Sequence, residues 1–304
     1  MYTALPAVVG IAAAIAGGIS VLGATAIETR SVAIKFEARV GDERFACGMS
    51  YDGIGTSRSK ITPTDFRFYV SDVQLIDATG QAVPIALDQD GVWQYKSVAL
   101  MDFEDGTGPC RNGNAGLHNR LTGIVPKGDY RAIRFTLGVP AELNHGDPTV
   151  APSPLNLTSM FWNWRAGYKF VKVDMATRGQ PQRAASENDP PLPSGKKPRG
   201  MSGGYPVHLG STGCVADTAT TPAKSCAEPN RVDVTLSGFD PDRNTIVADL
   251  ASLLRNNDVD VNLAKSGSGC MSTPANANCW PIFAAFGLPA DDRPATTQQF
   301  FSTR

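Results

Sequence analysis

The sequence predicts a mainly β protein, a β-sandwich or open barrel that is stapled by disulfides and carries a few short helices toward its C-terminus. Three observations support this class. Segments that alternate between polar residues and aromatic or β-branched residues recur along the chain. Clusters of Gly, Pro, Asn and Asp separate these segments, as turns do in all-β domains. Six cysteines accompany an N-terminal segment typical of exported proteins.

Five segments are predicted to be β-strands, because their residues alternate with the period of two that a half-buried strand shows. They are residues 31–40, 65–77, 130–140, 160–174 and 231–239. The fourth segment reads "MFWNWRAGYKFVKVD" and holds two of the four tryptophans. As a single strand it would carry the following residues on one face: Met160, Trp162, Trp164, Ala166, Tyr168 and Phe170.

Two stretches between the strands are predicted to be loops. Residues 47–64 are rich in Gly, Ser and Thr. Residues 178–206 are dominated by Pro, Gly, Ser and charged residues, and apolar residues are nearly absent. The second stretch is therefore predicted to be a long flexible loop or insertion.

Helical periodicity is confined to the C-terminal part. Residues 245–258 are predicted to form a helix because their apolar residues fall on one stripe: Ile246, Leu250, Leu253 and Leu254. Residues 281–289 predict a short second helix that ends at Gly287 and Pro289.

The N-terminal segment indicates export. Residues 2–27 contain no charged side chain and end near Ala24-Thr25-Ala26, the small-x-small pattern that signal peptidase cleaves. No Lys or Arg precedes the apolar core, which leaves an uncleaved membrane anchor as the alternative. We expect residues 1–26 to be the signal or anchor, and residues 27–304 to form a single β-rich domain in the periplasm or at the cell surface.

Charge and cysteine content narrow the function. The chain has 28 basic and 29 acidic residues, so it does not attract nucleic acid or a membrane surface electrostatically. Six cysteines allow fifteen pairings. The segments between Cys214 and Cys226 and between Cys270 and Cys279 are rich in turn residues and would close easily, which would leave Cys47 with Cys110. No CxxC occurs, so structural disulfides are favoured over a zinc site.

Motifs of nucleophilic catalysis and phosphate binding are missing from the sequence. It has no GxSxG, and "GSTGC" lacks the Lys of a phosphate-binding loop. Asp102 and Glu104 share a strand face and suit acid–base work or cation binding, but a solvated strand end is the favoured interpretation.

Two of the three histidines are candidates for metal binding. His145 follows a predicted strand in a turn-rich segment, and His208 lies in "YPVHLGSTGC", near a cysteine predicted to be disulfide-bonded. Imidazole is a versatile ligand for copper and zinc, although a lone histidine more often has only a structural role. His118, in "AGLHNRLTG", has the features of an ordinary loop residue.

Several separate segments occur in an order found in one known family: "DFRFYVSDVQL", "GVPAELNH", "MFWNWRAGYKF", "VHLGSTGC", and "FDP" followed by a late Cys-Met pair. Together they resemble the MbnP family, also described as metallo-mystery pair system four-Cys motif proteins. The resemblance extends from about Ala33 to about Leu288. It implies a β-rich, exported copper-binding protein without catalytic turnover of its own.

The resemblance also implies a partner and a site. Family members are encoded beside a MauG-like di-haem c-type enzyme that oxidises a tryptophan of the binding protein to kynurenine, on which copper binding depends. The matching positions assign the copper ligands to His145 and His208. The modified residue is Trp162 or Trp164, which the motif does not distinguish. Trp93 and Trp280 lie outside the motif, where core packing is expected.

Two other classes of function remain open at this point. An extracellular metal-dependent enzyme would use the same histidines, with Glu142 or Asp147 as the nearest acid–base group. A cell-surface adhesion module would bind no metal.

Overall fold

The computed structural model describes residues 1, 27–110, 113–163, 165–178, 204–218, 221–262 and 268–304. The N-terminal segment 2–26 and most of the insertion predicted at 178–206 lie outside the described residues. None of the helices in the described ranges has the length and apolar character needed to cross a bilayer.

Two large sheets form the body of the protein. The smaller one has six strands, in the order β19-β18-β1-β9-β6, with β2 paired to β1. Its strands are β1 (Thr29–Val40), β2 (Glu43–Arg44), β6 (Ala86–Leu87), β9 (Arg120–Pro126), β18 (Thr245–Asp249) and β19 (Phe301–Thr303). β1 and β18 are parallel, and the other neighbours in this sheet are antiparallel.

The larger sheet has nine strands and is built around the long strand β4. Its main order is β14-β13-β4-β10-β17, and β3, β5 and β8 also pair with β4 while β7 pairs with β8. The strands are β3 (Tyr51–Ile54), β4 (Ser59–Asp77), β5 (Ala82–Pro84), β7 (Gln94–Tyr95), β8 (Val98–Asp102), β10 (Tyr130–Leu137), β13 (Val171–Thr177), β14 (Val207–Leu209) and β17 (Val232–Ser237).

Smaller elements lie at the margins of the two sheets. Two hairpins are formed by β11 (Phe161–Asn163) with β12 (Gly167–Tyr168) and by β15 (Thr212–Val215) with β16 (Ser225–Glu228). The helices are α1 (Ala141–Asn144), α2 (Leu250–Leu254) and α3 (Trp280–Phe286), with 3₁₀ turns at Gly108–Cys110 and Thr158–Met160.

The main core lies between the two sheets. Phe36 of β1 makes edge-to-face contacts with Phe68 of β4 and Phe135 of β10, at centroid distances of 6.1 and 5.9 Å. All three rings are almost completely buried, and each contributes about 1.5–3 kcal/mol through burial. The predicted mainly β class with short helices is therefore confirmed as two open sheets packed face to face.

The predicted strands at 31–40, 65–77, 130–140 and 231–239 are confirmed, and so is the short helix that ends at Gly287. Gly287 adopts a left-handed φ of 81°, which its missing Cβ permits at a helix end. The loop predicted at 47–64 is wrong in part, because β3 pairs with the first residues of β4 there. Helix α1 was not predicted from the sequence.

The helix predicted over residues 245–258 is wrong in its first half. Residues Thr245–Asp249 form β18, which lies between β1 and β19 and whose pairing outweighs the helical stripe. The helix starts only at Leu250, where the Asp249 carboxylate accepts hydrogen bonds from the amides of Ala251 and Ser252.

The single strand predicted over residues 160–174 is also wrong. The side chain of Asn163 accepts hydrogen bonds from the amides of Arg165 and Ala166, and Gly167 follows with a φ of 74°. This Asx turn folds the segment back into the β11–β12 hairpin, and β13 starts only at Val171. Of the six residues expected on one strand face, the five that the structure describes therefore do not form such a face.

Three disulfides join the pairs that the loop composition favours. They are Cys47–Cys110, Cys214–Cys226 and Cys270–Cys279, and the described part of the chain has no free cysteine. Together with the family described below, these bonds are consistent with an exported protein.

Candidate metal centre

A row of polar side chains crosses the nine-stranded sheet on the face turned away from the main core. The register pairs Asp102 of β8 with Arg67 of β4, Arg67 with Lys172 of β13, and Lys172 with His208 of β14. Residues directly opposite one another in antiparallel strands project from the same face. The pairing thus places His208 at the end of a charged row.

The charged side chains in and beside this row form a continuous network. Arg67 Nε donates to Asp65 Oδ1 at 2.8 Å, and Arg67 Nη1 lies 3.6 Å from Glu104 Oε1. Lys172 Nζ contacts Asp65 and lies 3.1 Å from Asp174 Oδ2. Asp65, Arg67, Glu104 and Lys172 thus each have an opposite charge beside them, as burial requires.

The interpretation of Asp102 and Glu104 as a solvated strand end is wrong. Both side chains are completely buried, because β8 lies between β7 and β4 and the following loop covers them. Glu104 accepts hydrogen bonds from the amides of Gly106 and Asn114, so it anchors that loop. Burial raises the pKa of Asp102 to about 8 despite the nearby Arg67 guanidinium.

His208 is fixed through both its main chain and its ring. Its amide donates to Cys270 O at 2.9 Å, and Ser272 Oγ donates to His208 O at 2.6 Å. Its ring nitrogen Nε2 lies 2.7 Å from Asp174 Oδ1. The side chain is 12% exposed, so one edge of the imidazole remains near the surface.

Trp162 of β11 lies beside His208. The two ring centroids are 6.4 Å apart, and the ring planes are inclined by 48°. Gly210 makes this approach possible, because a Cβ there would lie 2.7 Å from Cζ3 of Trp162 and 2.6 Å from Tyr168 O. The turn before β11 is held by Lys169, whose Nζ donates to Ser159 O at 2.7 Å.

His145 caps the C-terminal end of α1 and is buried. Its Nε2 lies 3.2 Å from Nδ2 of Asn144 and 3.6 Å from Sγ of Cys226. Within the described residues, His145, Cys214 and Cys226 form a group of three potential ligands whose ligand atoms lie within 4.8 Å of one another. Because the two sulfurs form a disulfide, they offer no thiolate to a metal.

Asn144 connects the His145 side of the site to the hairpin and to the segment after His208. Its Nδ2 donates to Ser211 Oγ at 3.2 Å, and its Oδ1 accepts from Tyr168 N at 2.9 Å. Asn144 is buried, so these bonds are not replaced by water. The neighbours of both predicted histidine ligands thus meet around one asparagine and the β11–β12 hairpin.

The other aromatic candidates have packing roles. Trp93 stacks on His118 at a centroid distance of 5.1 Å, and His118 Nδ1 lies 2.6 Å from Leu100 O. Burial lowers the pKa of His118. Trp280 packs against the main core and donates from Nε1 to Pro274 O. Trp164, the second candidate for modification, lies outside the described residues.

The acid–base candidates of the enzyme alternative lie near His145 in sequence. Glu142 is exposed on α1. Asp147 accepts hydrogen bonds from both the amide and the hydroxyl of Thr149, at 2.8 and 2.7 Å. That carboxylate therefore stabilises its own turn.

Sequence reasoning missed the residues that surround the two histidines: Asn144, Lys172, Asp174 and Ser211. One signal for the charged pair was present. Lys172 and Asp174 alternate with Val171 and Val173 in a buried strand, where unpaired charges are not tolerated. Asn144 and Ser211 gave no comparable signal, since their importance arises only from the fold.

The fold and the site define a class: a disulfide-linked, two-sheet β protein with a histidine beside an indole at the sheet edge. A family model described as MbnP matches residues 29–272, and the chain belongs to the MbnP family. The solved structure of MbnP from Methylosinus trichosporium is similar, with 30% sequence identity and a TM-score of 0.76, and the match covers 91% of this chain and 99% of that one. A search of curated proteins found no match.

Proposed function

We propose that this protein binds one copper ion, as Cu(I), in the periplasm or at the cell surface, for copper acquisition or homeostasis. The ligands are His145, His208 and a kynurenine formed from a tryptophan. The observation that carries the proposal is the position of the Trp162 ring, 6.4 Å from the His208 ring, in a chain of the MbnP family. Family membership supports a binding protein rather than an enzyme.

The chemistry of the side chains fits this assignment. An intact indole offers a metal only a donor N–H, because its nitrogen lone pair belongs to the aromatic ring. Opening the five-membered ring produces an aryl amine and a ketone, both of which have lone pairs. Two imidazoles suffice for low-coordinate Cu(I), and the altered side chain would complete or cover the site.

The modification requires a partner, which we propose to be a MauG-like di-haem c-type protein. Its docking surface would include the β11–β12 hairpin, where Asn163 and Arg165 are exposed beside the partly exposed Trp162. The indole ring takes up two oxygen atoms, one from each of two hydrogen peroxide molecules, and each peroxide is reduced to one water. Hydrolysis then releases the formyl carbon as formate, so the net change is a gain of two oxygens and a loss of CO.

Mass spectrometry tests the modification. Protein made with the di-haem partner should carry this mass change on one tryptophan, which peptide mapping assigns to Trp162 or Trp164. A Trp162→Phe variant should lose the change if Trp162 is the substrate, and the matched Trp93→Phe variant should keep it. No mass change on either Trp162 or Trp164 would contradict the proposal.

Equilibrium dialysis with Cu(I) tests the ligands. The His145→Ala and His208→Ala variants should each lose the bound copper. The third histidine provides the control, since His118 stacks on Trp93 and a His118→Gln variant should retain copper. Unchanged copper content in both ligand variants would rule out these ligands, a wild type that binds no copper would favour the adhesion module, and catalytic turnover by the copper-loaded protein would favour the enzyme.

A further inference from the structure

His208 is held by a carboxylate whose own orientation is fixed by a second charged group. Asp174 uses its two oxygens on different partners: Oδ1 lies 2.7 Å from His208 Nε2, and Oδ2 lies 3.1 Å from Lys172 Nζ. Lys172 also contacts Asp65, which pairs with the buried Arg67. The position of the Asp174 carboxylate is therefore set by the sheet register and by the ionic network.

The contact with Asp174 determines which nitrogen of His208 carries hydrogen. The other oxygen of Asp174 faces the Lys172 ammonium at 3.1 Å, as a carboxylate does. An ionised carboxylate can only accept hydrogen bonds. Nε2 of His208 is therefore the donor in this contact, and in the Nε2–H form of the ring the lone pair lies on Nδ1.

In His145, by contrast, Nε2 accepts a hydrogen bond instead of donating one. The amide orientation of Asn144 is fixed because its Oδ1 accepts from Tyr168 N, so its Nδ2 faces His145 Nε2 at 3.2 Å. Here Nε2 is the acceptor and carries the lone pair. The two histidines thus present different ring nitrogens as lone-pair atoms.

We propose that Asp174 is a positioning residue that fixes the Nε2–H form of His208 and so selects Nδ1 as the atom that ligates Cu(I). This inference rests on the proposed copper function and deepens it. A carboxylate that accepts from the remote N–H of a metal-bound imidazole fixes the ring and makes it a better donor. Its removal typically weakens metal binding about 10- to 100-fold.

Nitrogen NMR of the metal-free protein tests the tautomer without copper. With ¹⁵N-labelled histidine, measured at a pH at which the His208 ring is neutral, that ring should show its hydrogen on Nε2 and none on Nδ1. The Asp174→Asn variant should lose this preference, because an amide can also donate to Nε2. A wild-type His208 with its hydrogen on Nδ1 would overturn the inference, and this measurement requires no variant to fold.

Competition with a chromophoric Cu(I) chelator tests the effect on binding, with protein made alongside its di-haem partner. Asp174→Asn should weaken Cu(I) binding about 10-fold or more. The matched control is Asp233→Asn, which removes a carboxylate from the same sheet that bonds only Thr136 among the described contacts. That control should bind copper like the wild type, and thermal melting should show that both variants are folded.

The outcomes separate this inference from the proposed function. If His208→Ala loses copper while a folded Asp174→Asn binds within about twofold of the wild type, the copper function stands and the positioning role fails. If the wild type itself binds no Cu(I), the proposed function fails and the selection of a ligand atom fails with it. The Nε2–H form alone would then remain as a structural feature of the sheet.

Discussion

His208 and His145 differ in the chemistry of their surroundings. His208 ends a row of charged residues on a large sheet, and a carboxylate contacts its ring. His145 follows a short helix, and its ring nitrogen faces a neutral amide and the sulfur of a disulfide. The comparison shows that one site can orient its two candidate ligands by separate physical means.

Because of this difference, the stability of the two regions should respond differently to pH and to mutation. We call the residues that cross the large sheet from Asp102 through Arg67 and Lys172 to His208, together with their acidic partners, the charged row. Buried charges of opposite sign compensate one another there, so the stability of this region should change with pH and fall when one charge is removed. The region around His145, which we call the neutral pocket, depends on hydrogen bonds and on a disulfide. Above the range in which an imidazole ordinarily titrates, the contribution of this pocket to stability should change little with pH.

The largest expected effect is the removal of Arg67 from the charged row. An Arg67→Met substitution leaves the buried carboxylates of Asp65 and Glu104 without their guanidinium, which should destabilise the fold by about 3–5 kcal/mol. Denaturant unfolding measures this loss. Arg67→Lys, which keeps the charge but not the planar geometry, should be less destabilising. A loss below about 1 kcal/mol in Arg67→Met would contradict the charged character of the row.

Removal of the disulfide at the neutral pocket should have the next largest effect. A Cys214→Ser, Cys226→Ser variant opens a loop with a sequence separation of 12 and should lose about 3 kcal/mol. The matched variant without Cys270–Cys279 opens a loop with a separation of 9 and should lose a similar amount. Only the first should shift the ¹⁵N resonances of His145 strongly, and only the second those of His208. If both disulfide variants strongly shifted the ¹⁵N resonances of the same histidine, the two regions would not be separate.

Asn144 offers a smaller test within the neutral pocket. An Asn144→Ala substitution removes the acceptor for Tyr168 N and the donor to Ser211, at a cost of about 2 kcal/mol. The loss should be the same at pH 8 and pH 9 in thermal or chemical unfolding, above the range in which the imidazole of the neighbouring His145 ordinarily titrates. Asn144→Asp keeps the acceptor for Tyr168 N and should retain part of the stability at both pH values. A loss that varies strongly with pH would join this pocket to the charged row.

The sequence predicts an element correctly where its local periodicity agrees with the pattern of burial. It does not predict elements that depend on contacts between distant segments. Strand β1 shows regular alternation and is a strand. The helix predicted from the apolar stripe around Leu250 is wrong in its first half because β18 pairs with a strand on each of its edges. A local sequence pattern does not reveal such pairing. The strand through Trp162 failed because one asparagine, Asn163, accepts two amide bonds and reverses the chain.

The site shows the same division. The types of residue, imidazole and indole, could be predicted from the segments that resemble the family. Their surroundings could not. His208 is close to Cys214 in sequence, yet its main chain is held by Cys270, while the disulfide of Cys214 lies beside His145. These partners are decided by strand pairing between distant segments, which proximity in the sequence does not reveal.

The smallest expected effect concerns the far end of the charged row. Burial raises the pKa of Asp102 to about 8, well above its value of about 3.9 in an unfolded chain. The native state therefore holds a proton there that the unfolded chain has released. This contribution is complete in acid and is lost as the pH rises through about 8.

Between pH 7 and pH 8 the wild type should lose about 1 kcal/mol of stability relative to Asp102→Asn, which cannot titrate. The difference between the two proteins is the informative quantity, because Lys169, whose pKa burial lowers to about 8, titrates in both and acts in the opposite direction. Asp105→Asn is the control, since hydrogen bonds from Thr107 lower the pKa of Asp105 and its effect falls in acid. Parallel stability curves for wild type and Asp102→Asn over this range would mean that Asp102 is ionised in the folded protein, and that the charged row tolerates a further negative charge at its buried end.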